Sequence, residues 1–124
     1  MIVMAPISVG ELIDKITILR IKAILITDAA KLKNVDNEMF QLETILSELK
    51  LNVDLADLEA DLEAVNLELW HIENYKRECE QTQNFGDGFV NAARQVYLKN
   101  DRRAMIKRRI NELCGSTIVE EKSY

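Results

Sequence analysis

Residues that interrupt regular structure are scarce in this sequence. Its 124 residues hold one proline and four glycines, too few for the repeated turns of an all-β fold. The two cysteines, Cys79 and Cys114, show neither C-x-x-C nor framework spacing. That argues against a disulfide scaffold and reads as two free thiols in a reducing cytosol. One histidine and no Gly-x-Ser-x-Gly leave no hydrolase triad, and there is no glycine-rich phosphate loop. No apolar run reaches the roughly 20 residues of a membrane span; Arg20 and Lys22 interrupt the isoleucine-rich stretch 16–26. The apolar opening Met1 to Pro6 is too short for a signal core and lacks a charged lead. These absences predict a cytoplasmic protein away from membranes.

What is abundant is the composition of long helices, with 48% hydrophobic and 30% charged residues and only 6% aromatics. Apolar side chains recur at heptad spacing on three segments. Leu12, Ile16, Leu19, Ala23, Ile26 and Ala30 form one seam. Met39, Leu42, Leu46, Leu49 and Val53 form a second, and Leu55, Leu58, Leu62, Val65, Leu69 and Ile72 a third. Each places an apolar stripe on one side of a helix and calls for a partner helix. A fourth seam begins with Phe89, Ala93 and Val96, then carries Asn100, Arg103 and Lys107 before resuming at Ile110.

Capping residues set the expected boundaries. Ser8-x-x-Glu11 has the form of a capping box, with Pro6 just before it. Six isoleucines between 13 and 26 suggest a strand instead, but Ile18-Leu19 and 23–26 break the alternation, and the cap decides for helix. Lys33-Asn34-Val35-Asp36 reads as a turn with Asp36 as N-cap, Asp54 as the next cap, and Asn84 to Gly88 as a loop. Gly115 suits a C-terminal cap. The spacing thus predicts one all-α domain over 1–124, with helices at about 9–31, 36–50, 55–82 and 88–114, the last bent near Asn100-Asp101. The architecture expected is a four-helix antiparallel bundle of helical hairpins with coiled-coil-like seams. The first helix is apolar on nearly every face, which predicts a homodimer through the first and third helices.

Charge is unevenly placed. The chain carries a net charge of −5, yet residues 99–124 hold seven bases against four acids. An acidic whole with little aromatic interleaving argues against nucleic acid. Buried charges are costly unless paired, so Asn100, Arg103 and Lys107 either meet acids such as Asp14, Glu59 or Glu73, or line a cleft for a phosphate or carboxylate. Arg94 and Tyr97 lie one or two turns earlier. Glu68-x-x-His71 has the form of a di-metal bundle ligand pair, but a single histidine is too few. Glu11, Asp14, Glu59 and Glu63 faintly resemble the carboxylates of helical Mg-dependent nucleotide pyrophosphatases, without that family's second acidic motif. Ile13-Asp14-Lys15-Ile16 faintly resembles the first helix of chorismate mutases, with Thr17 where their second Asp stands. No metal or cofactor is expected.

Three stretches carry a broader resemblance: Glu11 through Lys22; Val65-Asn66 with Leu69-Trp70-x-Ile72-Glu73; and Val96-Tyr97-x-x-Asn100-Asp101-x-Arg103 continuing to Asn111. With the ending Glu-Glu-Lys-Ser-Tyr they resemble a family of short, uncharacterised helical proteins of bacteria and phages, including cyanobacterial phages. The resemblance covers nearly the whole chain and implies no established activity. An association of bacterial members with sugar-transfer genes would imply an accessory or sugar-nucleotide role, and a phage member would act in host cytoplasm. The polar residues in play are Asp14, Lys15, Asn66, Trp70, Glu73, Arg94, Tyr97, Asn100, Asp101, Arg103 and Lys107. The leading expectation is a non-enzymatic interaction or regulatory protein that recognises a protein partner or small anion through the last helix. The alternative is a small enzyme or metabolite binder for a phosphorylated or carboxylated compound, with Arg94, Arg103 and Lys107 holding the anion and Asp14 or Glu73 moving a proton.

Overall fold

The computed structural model describes residues 1–123; Tyr124, part of the ending noted above, lies outside the described residues. The fold is all-α, with four packed helices: α1 (Val9–Leu25), α2 (Ala29–Glu48), α3 (Ala56–Thr82) and α4 (Asp87–Cys114). None of them is long and apolar enough to cross a membrane, among the described residues.

Each helix end has a local cause. Ser8 is extended and its Oγ accepts from the Glu11 N–H at 3.1 Å, satisfying one orphan donor of the first turn. The Glu11 carboxylate serves elsewhere, as described below. The break between α1 and α2 falls earlier than the seam suggests. Ile26 turns extended, and Asp28 caps α2 by accepting from the Lys31 N–H at 3.0 Å. Lys33 to Asp36, the expected turn, is helical, and Val35 is buried within it. The boundary expected near 31–36 is therefore corrected to 26–28. A capping carboxylate and one buried valine outweigh the turn propensity of Asn34 and Asp36, which sit on the solvent side. Ala30 consequently belongs to α2.

Asp54 does bond the start of α3, through the Ala56 N–H at 3.0 Å, but Leu55 occupies the cap position. α4 runs unbroken through Asn100-Asp101, the region where a bend was expected. It ends at Gly115, whose φ of 64° lets the Ser116 N–H reach the Asn111 carbonyl at 2.9 Å, the left-handed cap that glycine favours.

α3 and α4 form an antiparallel hairpin. Lys99 meets Glu68 at 2.5 Å, and the Tyr75 hydroxyl closes over Gly88 nearer the turn. α1 lies across the opposite end of this hairpin. Its first turn meets α4 at Lys107 and Asn111, and its Arg20 meets Glu59 of α3. The core sits at this crossing: Ile13 from α1, Leu55, Leu62 and Val65 from the α3 side, Ile106 and Ile110 from α4. α2 packs along α1 and makes no close backbone approach to α3 or α4. α1 thus has three neighbours within one chain. They bury Leu12, Ile13, Ile16, Leu19 and Ile21, while Ile24 and Leu25 at the end of α1 stay exposed.

Candidate functional site

The polar interruption of the α4 seam faces α1. Asp14, one turn into α1 and 1% exposed, receives a two-pronged contact from Arg103: Nε donates to Oδ1 at 2.9 Å and Nη2 to Oδ2 at 2.5 Å. Planar guanidinium and carboxylate match in this geometry, which a lysine could not reproduce. Asn66 of α3 closes the third side. Its Nδ2 donates to Asp14 Oδ1 at 2.9 Å and to Thr17 Oγ1 at 3.0 Å, while the Thr17 hydroxyl donates to the Asp14 carbonyl at 2.8 Å. Arg103 Nη1 also donates to Asn100 Oδ1 at 3.3 Å.

One turn along α4, Lys107 is likewise buried and surrounded by acids. Its Nζ donates to Glu11 Oε2 at 2.7 Å and to Glu120 Oε2 at 3.1 Å, and lies 3.9 Å from Asp14. Glu11 also reaches Lys15, at 3.8 Å. Beside this pair the Gly10 N–H donates to Asn111 Oδ1 at 2.7 Å, so α4 supplies a cap to α1. The approach requires glycine. A Cβ there would stand 2.6 Å from the Lys107 carbonyl oxygen, a backbone atom unable to rotate away.

These contacts hold the charges in place. Burial pushes the Asp14 carboxyl up, but the hydrogen bonds from Arg103 and Asn66 and the charges of Arg103 and Lys107 outweigh it, leaving it below the usual carboxylate range. Burial pushes Lys107 down, and Glu11, Glu120 and Asp14 more than reverse it. Neither group is poised for proton transfer near neutral pH. No buried side-chain nitrogen or oxygen among the described residues lacks a partner.

Of the residues singled out from sequence, the structure brings together Asp14, Asn66, Asn100, Arg103 and Lys107. Lys15 stands at the rim, half exposed. Trp70 and Glu73 lie one and two turns beyond Asn66 on α3, and Glu73 pairs with Lys76 at 3.5 Å. Arg94 and Tyr97 are exposed on α4, and Asp101 lines a slot that shares Lys107, Asn111 and Glu120 with the network. Glu59 pairs with Arg20, not with the α4 cations. Thr17, Glu120 and the Gly10–Asn111 contact complete the network, as does Glu11, which the sequence offered as a cap and a possible metal carboxylate rather than as a partner of α4. One signal was available: Glu11 and Asp14, a turn apart on α1, match Lys107 and Arg103, a turn apart on α4, when the helices run in opposite directions. Glu68, of the possible metal pair, is engaged by Lys99. No cluster of three or more His, Cys, Asp or Glu suited to a metal ion occurs among the described residues.

The slot, of about 690 Å³, lies between the second half of α4 and residues 115–122. Ala104 and Met105 give it apolar wall; Asp101, Lys107, Arg108 and Asn111 give it polar wall. The closing segment is tied down by Lys107 to Glu120, at 3.1 Å, and Arg108 to Glu121, at 3.7 Å. Neither Trp70 nor Tyr97 lines it.

A family described as a family of unknown function, DUF6165, matches residues 3–124. No curated protein and no solved structure matches the chain.

Proposed function

We propose, for a chain that belongs to the DUF6165 family of unknown function, a non-enzymatic helical module that recognises an anionic group through the polar face of α4. The anion is carried by a small ligand or by a partner protein, and the setting is bacterial or phage cytoplasm. The observation that carries this reading is the division of labour on α4. Arg103 turns inward and is consumed by Asp14, so the interrupted seam joins helices and leaves no free acid–base pair. Arg108, 58% exposed at the slot, meets one partner among the described residues, the still more exposed Glu121 at 3.7 Å, a pair of low net strength.

The slot also favours the second reading, a metabolite-binding protein or small enzyme for a phosphorylated or carboxylated compound, because its volume suits such a ligand. A homodimer belongs to the same proposal and is decided by sedimentation equilibrium.

The test is calorimetric titration with pyrophosphate, a sugar phosphate and succinate. Saturable binding that Arg108→Ala weakens without lowering the melting temperature supports anion recognition. Absence of saturable binding by all three sinks the small-anion form of the proposal. Turnover of any of them moves the assignment to the second reading.

A further inference from the structure

We infer that Glu120 and Glu121 are the internal occupants of this anion site, and that an external small anion, phosphate or carboxylate, binds by displacing them. The inference rests on the proposed recognition by α4 and adds its regulation. Three observations converge. Two of the three cations that line the slot, Lys107 and Arg108 on α4, each meet one of two consecutive glutamates; the third, Lys122, belongs to the crossing segment itself. Residues 117–123 are otherwise exposed, and a void separates the segment from the helix it crosses. A segment packed for stability would close that void with apolar contact; this one spans it as a strap fixed at Gly115 and latched by charge.

Release of the strap has an asymmetric effect on the two cations. Lys107 keeps Glu11 as a partner when Glu120 leaves, so the fold stays satisfied. Arg108 loses the one ion pair it makes among the described residues and becomes free to turn to a ligand. The apolar wall of Ala104 and Met105, with Met105 72% exposed, supplies surface for the ligand's carbon skeleton. An anionic headgroup on a small organic body fits this arrangement. Pyrophosphate probes the headgroup as phosphate, and succinate probes it as carboxylate.

The deciding experiment uses the full chain, wild type and Glu120→Gln/Glu121→Gln. Both are titrated with pyrophosphate and with succinate, by calorimetry and by ¹⁵N amide spectra. Removing the internal competitor should tighten binding by about three- to ten-fold, the range expected for loss of two weak, partly exposed pairs. Saturating wild type should move the amides of residues 117–122 towards fast, unrestrained motion. The probe that does both names the headgroup. Equal affinities in the two proteins, with strap amides unmoved, overturn the inference while leaving anion recognition by α4 intact. Binding of neither probe to either protein removes the small-anion reading and the inference with it.

Discussion

Replacing Arg103 by alanine should cost about 3 kcal/mol of folding stability. Truncation leaves the Asp14 carboxylate in place, 1% exposed, with two of its bonds gone. Breaking a buried ion pair from one side costs about 3–5 kcal/mol, because the remaining charge is desolvated and uncompensated. The lower end applies here. The Arg103 side chain is 29% exposed, so water enters the gap, and Lys107 at 3.9 Å compensates in part. For a domain of this size about 3 kcal/mol corresponds to a fall in melting temperature of roughly 10–15 °C, readable by circular dichroism at 222 nm and by urea unfolding. The companion variant Asp14→Leu/Arg103→Met removes both charges and should recover at least half of the loss, since apolar replacement of a buried pair is often neutral or better. Asn66 keeps Thr17 Oγ1 as acceptor in that variant. A loss below about 1 kcal/mol, the size of an exposed pair, refutes the reasoning. So does a double variant no more stable than the single one.

Three further outcomes follow from the same contacts. Asp14 titrates below its unfolded value of about 3.9, so its contribution is present above that value and lost as pH falls through the depressed native one; Lys107, raised when folded, contributes fully below about 10.4 and loses that contribution as pH rises through its native value. Urea midpoints across pH 2–5 should show a steeper loss for wild type than for Asp14→Leu/Arg103→Met, and parallel curves would remove the assignment. Gly10→Ala should destabilise by about 1–2 kcal/mol, because collision with the Lys107 carbonyl exceeds the propensity gain of alanine; a more stable variant would show that α1 and α4 are not so close. Arg20, 37% exposed, joins Glu43 of α2 at 3.5 Å and Glu59 of α3 at 2.5 Å. Arg20→Ala should cost about 1 kcal/mol or less, should speed amide exchange in α2 more than in α3, and should lose its effect in 1 M salt; a salt-independent loss would contradict the exposed geometry.

The periodicity of apolar residues made the fold class and the α3–α4 hairpin legible, because Leu55 to Ile72 keeps its register and Gly86 and Gly115 mark real ends. The α1–α2 boundary was harder. Apolar spacing runs on through Ile26 to Ala30, so the interruption is set by one cap, Asp28, that competes with an equally plausible one at Asp36. At the site, an inward Arg103 was readable from the seam itself, and Asp14 was among the acids expected to meet it. Glu11 was not, because its capping role accounted for it locally, and Glu120 was not, because a short polar tail carries no periodicity to place it. The crossing of α1 over the hairpin depends on long-range packing and leaves no trace in any single segment. That separation of five nearby polar residues from Arg94, Tyr97, Trp70 and Glu73 therefore had to come from three dimensions.

The pairing of Asp14 with Arg103 spans 89 positions of sequence, which gives it a history during synthesis. At about 5–20 residues per second, the N-terminal carboxylates wait roughly 5–20 s for the cations that will neutralise them. Through that interval Asp14 has neither Arg103 nor Lys107 to offset its charge. Pairing becomes possible when the second half of α4 emerges, so the fourth helix is the one that neutralises the first.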